Sequence, residues 1–451
     1  MKCKISNAQS PQTQFTKFGF EIWRVVRRLC LRFGFLAIGL LSACVAPTIP
    51  PTATVAPSGI TPTPTSVLAN STPEPATPEP SVQTLRLWLP PQFAPDENTP
   101  GGQALAAQLA AFEKANGWRV EVRIKKTAGQ GGLLDSLHTS LQVAASISPD
   151  VIALDSPMLA SADSLQPLTQ FTEGDLVDFY PFALQNARLN DQLVGLPFAA
   201  DVLGFAYSTN PYPLPPQTWA DFVPDNGVVA LPLNDTSALL TLQQYLALGG
   251  ALTDSNGQVA LNKTILAQVF TDYQTLQAAG LLPVESITAA SADATWITYR
   301  ESRASGAVTF FGNYLMDRHR VAATAIGPIP THTGSHTTFA RQWNYALVTT
   351  DPSRQAIALE LMRWLTAPDN LGPWTLAAMV LPPRAQALTG WSEPTLAPVA
   401  DALLKVAQPE PTPALLSKIG PALNTAVQSV LSGQTTPEQA ASNVISTVNG
   451  R

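Results

Sequence analysis

Histidine is scarce in this 451-residue chain, and its four copies set the first limit on chemistry. His332 and His336 stand four apart, a spacing that on a helix turns two imidazoles to one side for zinc. Here the pair lies in the loop Pro330-Thr-His-Thr-Gly-Ser-His336 and lacks the intervening glutamate of an HExxH site, so exposed loop histidines are the reading it supports. No nucleophile elbow, Walker A loop or dinucleotide fingerprint occurs in the folded region, and Gly129-Gln-Gly-Gly132 matches none of them. Paired carboxylates for glycoside hydrolysis are not recognisable by spacing, because such acids meet only in the fold. The sequence thus nominates no catalytic residue, metal site or cofactor. A hydrolase acting on carbohydrate stays open as an alternative to binding, as does an orphan sensory receptor.

The three cysteines carry a different message. Residues 33–41 are uncharged and follow Arg24, Arg27, Arg28 and Arg32, the layout of a secretory signal, and the stretch falls short of the ~20 residues that span a bilayer. Leu41-Ser42-Ala43-Cys44 resembles the lipobox of bacterial lipoproteins, which implies removal of residues 1–43 and lipidation of Cys44. Arg27-Arg28-Leu29-Cys30 leaves a twin-arginine route open, with Cys30 where a bulky apolar residue is usual. Cys3 and Cys30 would leave with the signal, so no thiol remains for a disulfide or a nucleophile.

Seven of the 26 basic residues and one of the 32 acidic ones precede Cys44, so the rest carries 19 basic against 31 acidic, net −12. That sign opposes nucleic-acid binding, which depends on neutralising phosphates. It also disfavours anionic headgroups, leaving the anchor as the expected membrane contact. Residues 45–80 hold ten prolines and eight threonines and almost no large apolar residue, too little to bury a core. Residues 44–82 are read as a linker that lifts the folded part off the membrane.

The folded part, from residue 83 onward, must position any site. Thr84–Leu89 alternates like a strand, as does Trp118–Ile124, while Leu105, Leu109 and Phe112 predict a helix stopped at Asn116-Gly117. Val151–Leu154 is a continuous apolar run, typical of a strand covered on both faces. This strand–helix alternation predicts a parallel or mostly parallel α/β sheet. A second α/β stretch begins near Leu196, with strands over 202–207, 228–233, 306–311 and 343–348. Helices are predicted over 237–248, along Ile265, Val269, Tyr273 and Leu276 to Gly280, along Ile357–Leu365 and after Pro413.

Taken in order, Leu85–Trp88, Phe112-Glu-Lys-Ala-Asn-Gly117, Pro149-Asp-Val-Ile152, Gly195-Leu-Pro-Phe198, Thr218-Trp-Ala-Asp-Phe222, Gly306-Ala-Val308, Gly327-Pro-Ile-Pro330, Leu381-Pro-Pro-Arg384 and Thr436-Pro-Glu-Gln-Ala440 resemble the family 1 extracellular solute-binding proteins of ABC transporters. The likeness runs from about Thr84 to Val448. It implies an α/β, two-lobed periplasmic-binding-protein type II fold with hinge crossovers and an interlobe cleft. The first lobe would comprise 83–200 with 328–372 and the second 203–327 with 375–451, the chain crossing near Phe198–Leu203 and Gly327–Pro330. The function implied is extracytoplasmic: a monomeric, lipid-anchored receptor that binds a polar solute, foremost a carbohydrate, and delivers it to permease subunits.

The resemblance also nominates site residues. Asp201, four residues after Pro197, matches a carboxylate that meets ligand from the hinge, and a carboxylate can accept two hydroxyl hydrogen bonds. Tyr314 stands where relatives often place a tryptophan that stacks on a sugar ring. Trp343, Arg384 and Asp155 are further cleft candidates, whereas Trp88, Trp219 and Trp364 are read as core. Three departures bear on the solute, the first being that the loop after Leu154 offers Asp155 and Ser156 rather than an aromatic. Leu89-Pro-Pro-Gln-Phe93 lacks the acidic and lysine groups of maltose-type members, and no tryptophan follows Pro413. Fewer stacking rings weaken the case for a long maltodextrin and leave a smaller sugar, a polyol or another polar solute open.

Overall fold

Apolar side chains recurring at every second position make β1 (Thr84–Leu89) a strand covered on both sides, with Leu85, Leu87, Trp88 and Leu89 all buried. The computed structural model describes residues 83–143 and 147–450; the stretches expected to be a signal peptide and a linker, with Cys44, lie outside them. The helix Pro100–Asn116 follows β1, and Gly117 ends it with φ 71°, a left-handed stop open to glycine at no steric cost. β2 (Arg119–Ile124) and β3 (Val151–Asp155) then flank β1, both parallel to it.

The longest strand, β4 (Gly195–Ser208), changes partners midway. β5 (Val229–Ala230), β6 (Gly306–Phe310), β7 (Thr324–Gly327), β8 (Thr338–Leu347) and β9 (Ala407–Pro409) complete a nine-stranded sheet of order β2-β1-β3-β8-β4-β6-β5. β7 and β9 pair off this path with β4 and β8. The expected parallel arrangement holds for β1 to β3, but β8 runs antiparallel to both β3 and β4. β4 pairs with β8 up to Val202, then with β6 from Leu203 and with β7 from Phe205.

That change of partner separates two cores. One holds Leu85, Phe112, Phe198, Tyr345, Leu361 and Trp374; the other holds Phe205, Phe222, Tyr245, Phe270 and, from the C-terminal helices Pro413–Leu431 and Pro437–Val448, Leu423 and Val444. The chain is a two-lobed α/β protein. Between the cores a third cluster, with Tyr180, Val202, Phe311, Tyr314, Ala340, Leu381 and Trp391, covers one face of the seam. The return crossing differs from the expected Gly327–Pro330. Ile329 packs in the second core, and Gln243 holds the Thr337 carbonyl at 2.7 Å, so β8 itself makes the crossing from Phe339 onward. Leu376–Leu404 also packs in the central cluster rather than in the second core, because Tyr180 and Phe182 of the first half cover it.

Candidate functional site

Residues opposite one another on antiparallel strands point to the same face, and side chains alternate faces along each strand. Register therefore lines up one strip across the seam. Trp343 of β8 lies opposite Asp155 of β3 on one side and Ala199 of β4 on the other; Arg341 lies opposite Asp201; Leu203 lies opposite Phe310 of β6. Ala200, Val202 and Ala340, the alternate positions, face the central cluster. The strip is thus the side of the seam that the apolar packing leaves open.

Each side chain on it is held. Asp155 caps the helix Ser156–Ser161 by accepting from Met158 N at 2.8 Å, and burial raises its carboxyl above the usual range. The half-buried Trp343 meets the Phe93 ring edge-on at 5.5 Å. The Arg341 guanidinium lies 3.8 Å over the Phe310 ring and donates to Glu410 Oε1 at 2.9 Å, with 53% of its side chain still exposed.

Asp201 occupies the seam itself. Its Oδ1 accepts from Val202 N at 2.9 Å and Gly312 N at 3.0 Å. A Cβ at Gly312 would lie 3.0 Å from both Asp201 Oδ2 and the Met379 carbonyl, so only glycine admits this approach without a shift. Burial pushes the Asp201 carboxyl up to about 7, against the pull of Gly312 N–H, the Arg341 charge and Val202 N–H, while Asp293 adds to the rise.

A cavity of about 220 Å³ opens beside the strip, with Leu203, Phe310 and Arg341 on one wall. The other wall is the loop from Pro232 to Leu240 and the segment Ala290–Asp293. The loop is fixed from within: Asp235 accepts from Ser237 N at 2.9 Å and Ser237 Oγ, and Ala238 adopts φ 52°. It is fixed from behind by Asn424 and Gln428, which donate to the carbonyls of Asp235 and Leu233 at 3.2 and 2.9 Å. Asp293 lies in the first turn of the helix Ala292–Arg300, where Ser291 Oγ caps Ala294 N at 3.2 Å, and accepts from Asn313 Nδ2 at 2.7 Å. The chemistry on offer is hydrogen bonding: the Arg341 guanidinium and the Asp293 carboxylate both line a small cavity. Among the described residues no cluster of three metal-ligating side chains exists.

The structure brings Asp201, Trp343 and Asp155 together on the strip. It does not bring the other two candidates there. Tyr314 is a correction: it is buried on the opposite face of the seam, and its hydroxyl donates to the Thr324 carbonyl at 3.3 Å, so its ring has no free side for stacking. Arg384 is the second. Its Nε and Nη2 clamp the buried Asp178 at 2.8 and 2.5 Å, Nη1 holds the Thr366 carbonyl at 2.9 Å, and the guanidinium lies 4.7 Å over the Phe179 ring. That clamp ties Arg384 to Asp178 and to the end of the helix Pro352–Thr366 and leaves no group for a solute. Arg341, Phe310, Asp235 and Asp293 escaped sequence reasoning. The i, i+2 pair Arg341/Trp343 was the one signal available, since two large polar-capable side chains at that spacing share one face of a strand.

Residues 107–400 match the family model described as bacterial extracellular solute-binding protein. No curated protein sequence matches the chain significantly. Among solved structures, the cyclic alpha-maltosyl-1,6-maltose binding protein of Arthrobacter globiformis superposes with a TM-score of 0.66 at 16% identity, covering 82% of this chain and 98% of that one. The periplasmic protein MalE of Listeria monocytogenes, solved in complex with maltose, gives 0.66 at 15% identity over 82% and 97% of the two chains. The sugar-binding protein MalE of Xanthomonas citri gives 0.63 at 19% identity over 82% and 97%.

Proposed function

Because the chain belongs to the bacterial extracellular solute-binding protein family, we propose that it is a lipid-anchored receptor that captures a polar solute, a sugar foremost, between its lobes and delivers it to a membrane permease. The observation that carries this reading is the strip Asp155–Trp343–Arg341–Asp201–Phe310, which crosses the seam between the two cores with a cavity beside it. A solute touching it contacts both lobes at once, and only such differential contact can favour a closed form. The names of the structural relatives, which bind maltose and related glucans, support the sugar class. In this reading the first lobe holds 83–200 with the later part of β8 and the helix Pro352–Thr366, and the second holds 203–337 with the two C-terminal helices. The solute leaves chemically unchanged.

The anchor is proposed on Cys44, and a tether raises the effective concentration of the lobes near one permease. Replacing Cys44 by serine releases the protein from membranes with solute binding intact. Thermal-shift screening of the full chain against sugars, polyols, polyamines and glycerol phosphodiesters tests capture itself. A rise in unfolding temperature with a sugar supports the proposal; hydrolysis products appearing from any sugar contradict it.

A further inference from the structure

Net charge describes the chain as a whole and hides where its cations sit. The residues after Cys44 sum to −12, yet one face at the edge of the sheet is basic. β2 ends the sheet, and its pairing sets Thr84 against Arg119, Arg86 against Glu121 and Trp88 against Arg123. Partners in register share a face, as do alternate residues of one strand, so Arg86, Arg119, Glu121 and Arg123 lie together. Lys125, one residue past β2, joins them with its Nζ 4.7 Å over the Trp88 ring. The face thus carries four cations against one carboxylate.

Glu121 does not answer them all. Its Oε1 accepts from Arg123 Nε at 2.8 Å, whereas Arg86 Nε stands 3.9 Å from Oε2, too far for a hydrogen bond, and has no partner among the described residues. Arg119 is exposed, and Arg123 keeps 40% of its side chain in solvent. From Arg119 to Lys125 the cations span about 20 Å along the strand, at ~3.3 Å per residue.

The helix Leu133–Val143 packs on the same face, where Leu133 and Leu137 join Trp88 in one cluster. Its last residue, Val143, and Ile147 beyond it are exposed apolar side chains. Cations beside exposed aliphatic groups suit a lipid surface, the charges meeting headgroups and the apolar groups the boundary beneath them. A free anion would use only the cations. Ile152, in register with Trp88, faces this side, and Asp155, three residues on, alternates to the other. A surface held here leaves the strip of Asp155 and Trp343 clear.

Resting on the proposed anchor at Cys44, which keeps the folded part within reach of a membrane, we infer that the β1–β2 face of Arg86, Arg119, Arg123 and Lys125 is a docking surface for anionic lipid headgroups. The anchor sets how far the lobes can move from the membrane, and this face sets which side they turn to it.

Vesicle sedimentation of the full chain carrying Cys44→Ser, which takes the anchor out of the comparison, tests the face by itself. The probes are vesicles of phosphatidylcholine alone and of phosphatidylcholine with an equal part of phosphatidylglycerol. Residues 1–43 are common to every protein compared, so differences between variants report the strip. Arg119→Gln/Arg123→Gln/Lys125→Gln binds the anionic vesicles roughly 100-fold more weakly than its parent, about fivefold per cation, and both bind the neutral vesicles alike. Glu121→Gln, which removes the one carboxylate, binds the anionic vesicles about fivefold more tightly, a gain that no folding defect produces. The inference is overturned if the triple variant binds anionic vesicles as its parent does, which would leave the cations as protection of an open sheet edge. It is overturned equally if the variant loses the neutral vesicles to the same extent, or if inorganic phosphate displaces the protein beyond chloride of equal ionic strength. None of these outcomes touches the anchor, which release of Cys44→Ser from membranes decides separately.

Discussion

Replacing Asp201 by asparagine removes a charge from the seam but keeps the acceptor that Gly312 N and Val202 N use. The native carboxyl titrates near 7, against 3.8 unperturbed, chiefly because burial disfavours its charged form. Between those pH values the folded chain keeps a proton that the unfolded chain has released. Stability from this group therefore falls as pH rises from about 4 to about 7 and levels off above. At about 1.4 kcal/mol per pH unit the loss reaches about 4 kcal/mol. Asparagine carries no such proton, so D201N matches native within about 1 kcal/mol near pH 4 and exceeds it by about 4 kcal/mol near pH 8. Urea unfolding of both proteins across that range reads the difference directly, because every other titrating group is common to the two. Parallel pH profiles would refute the idea that Asp201 is held desolvated between the lobes.

Two further substitutions separate packing from solute contact. Arg384→Ala leaves the buried Asp178 without its partner and destabilises by about 3–5 kcal/mol in denaturant unfolding, with solute affinity unchanged in whatever protein remains folded. Tyr314→Phe removes one hydroxyl bond to the Thr324 carbonyl, costs about 1 kcal/mol of stability, and leaves the calorimetric affinity as in native; a large loss of affinity would return Tyr314 to the cleft.

What the sequence disclosed divides along physical lines. Local periodicity is written into the chain, so β1 begins and ends where alternation predicts, and Gly117 and Gly280 stop their helices at φ 71° and 73°. Strand pairing is a property of distant segments. The antiparallel insertion of β8 between β3 and β4 leaves no local trace, and with it went the strip that only register reveals. The site obeyed the same rule. Asp201 and Pro197 lie on one strand, so their spacing in sequence carries over to the fold and Asp201 stands on the strip. The place of Tyr314 does not carry over in that way, since it sits in the short helix Phe311–Asp317, where successive side chains point about 100° apart. Asn313 turns to Asp293, and Tyr314 turns to Thr324 and the core. Arg384 comes after a strand-like Leu-Pro-Pro run, and nothing near it in sequence announces Asp178 as its partner.

A solute that bridges the two lobes at the strip must meet Trp343, the side chain there with the largest exposed apolar face to offer. Calorimetric titration of native and Trp343→Ala full chain with glucose, glucitol and maltose therefore puts the bridging itself on trial. The expected result is one-to-one binding of a neutral ligand that weakens by about tenfold, near 1.4 kcal/mol, in the variant. Equal affinity in the two proteins, or no binding in either, would contradict it.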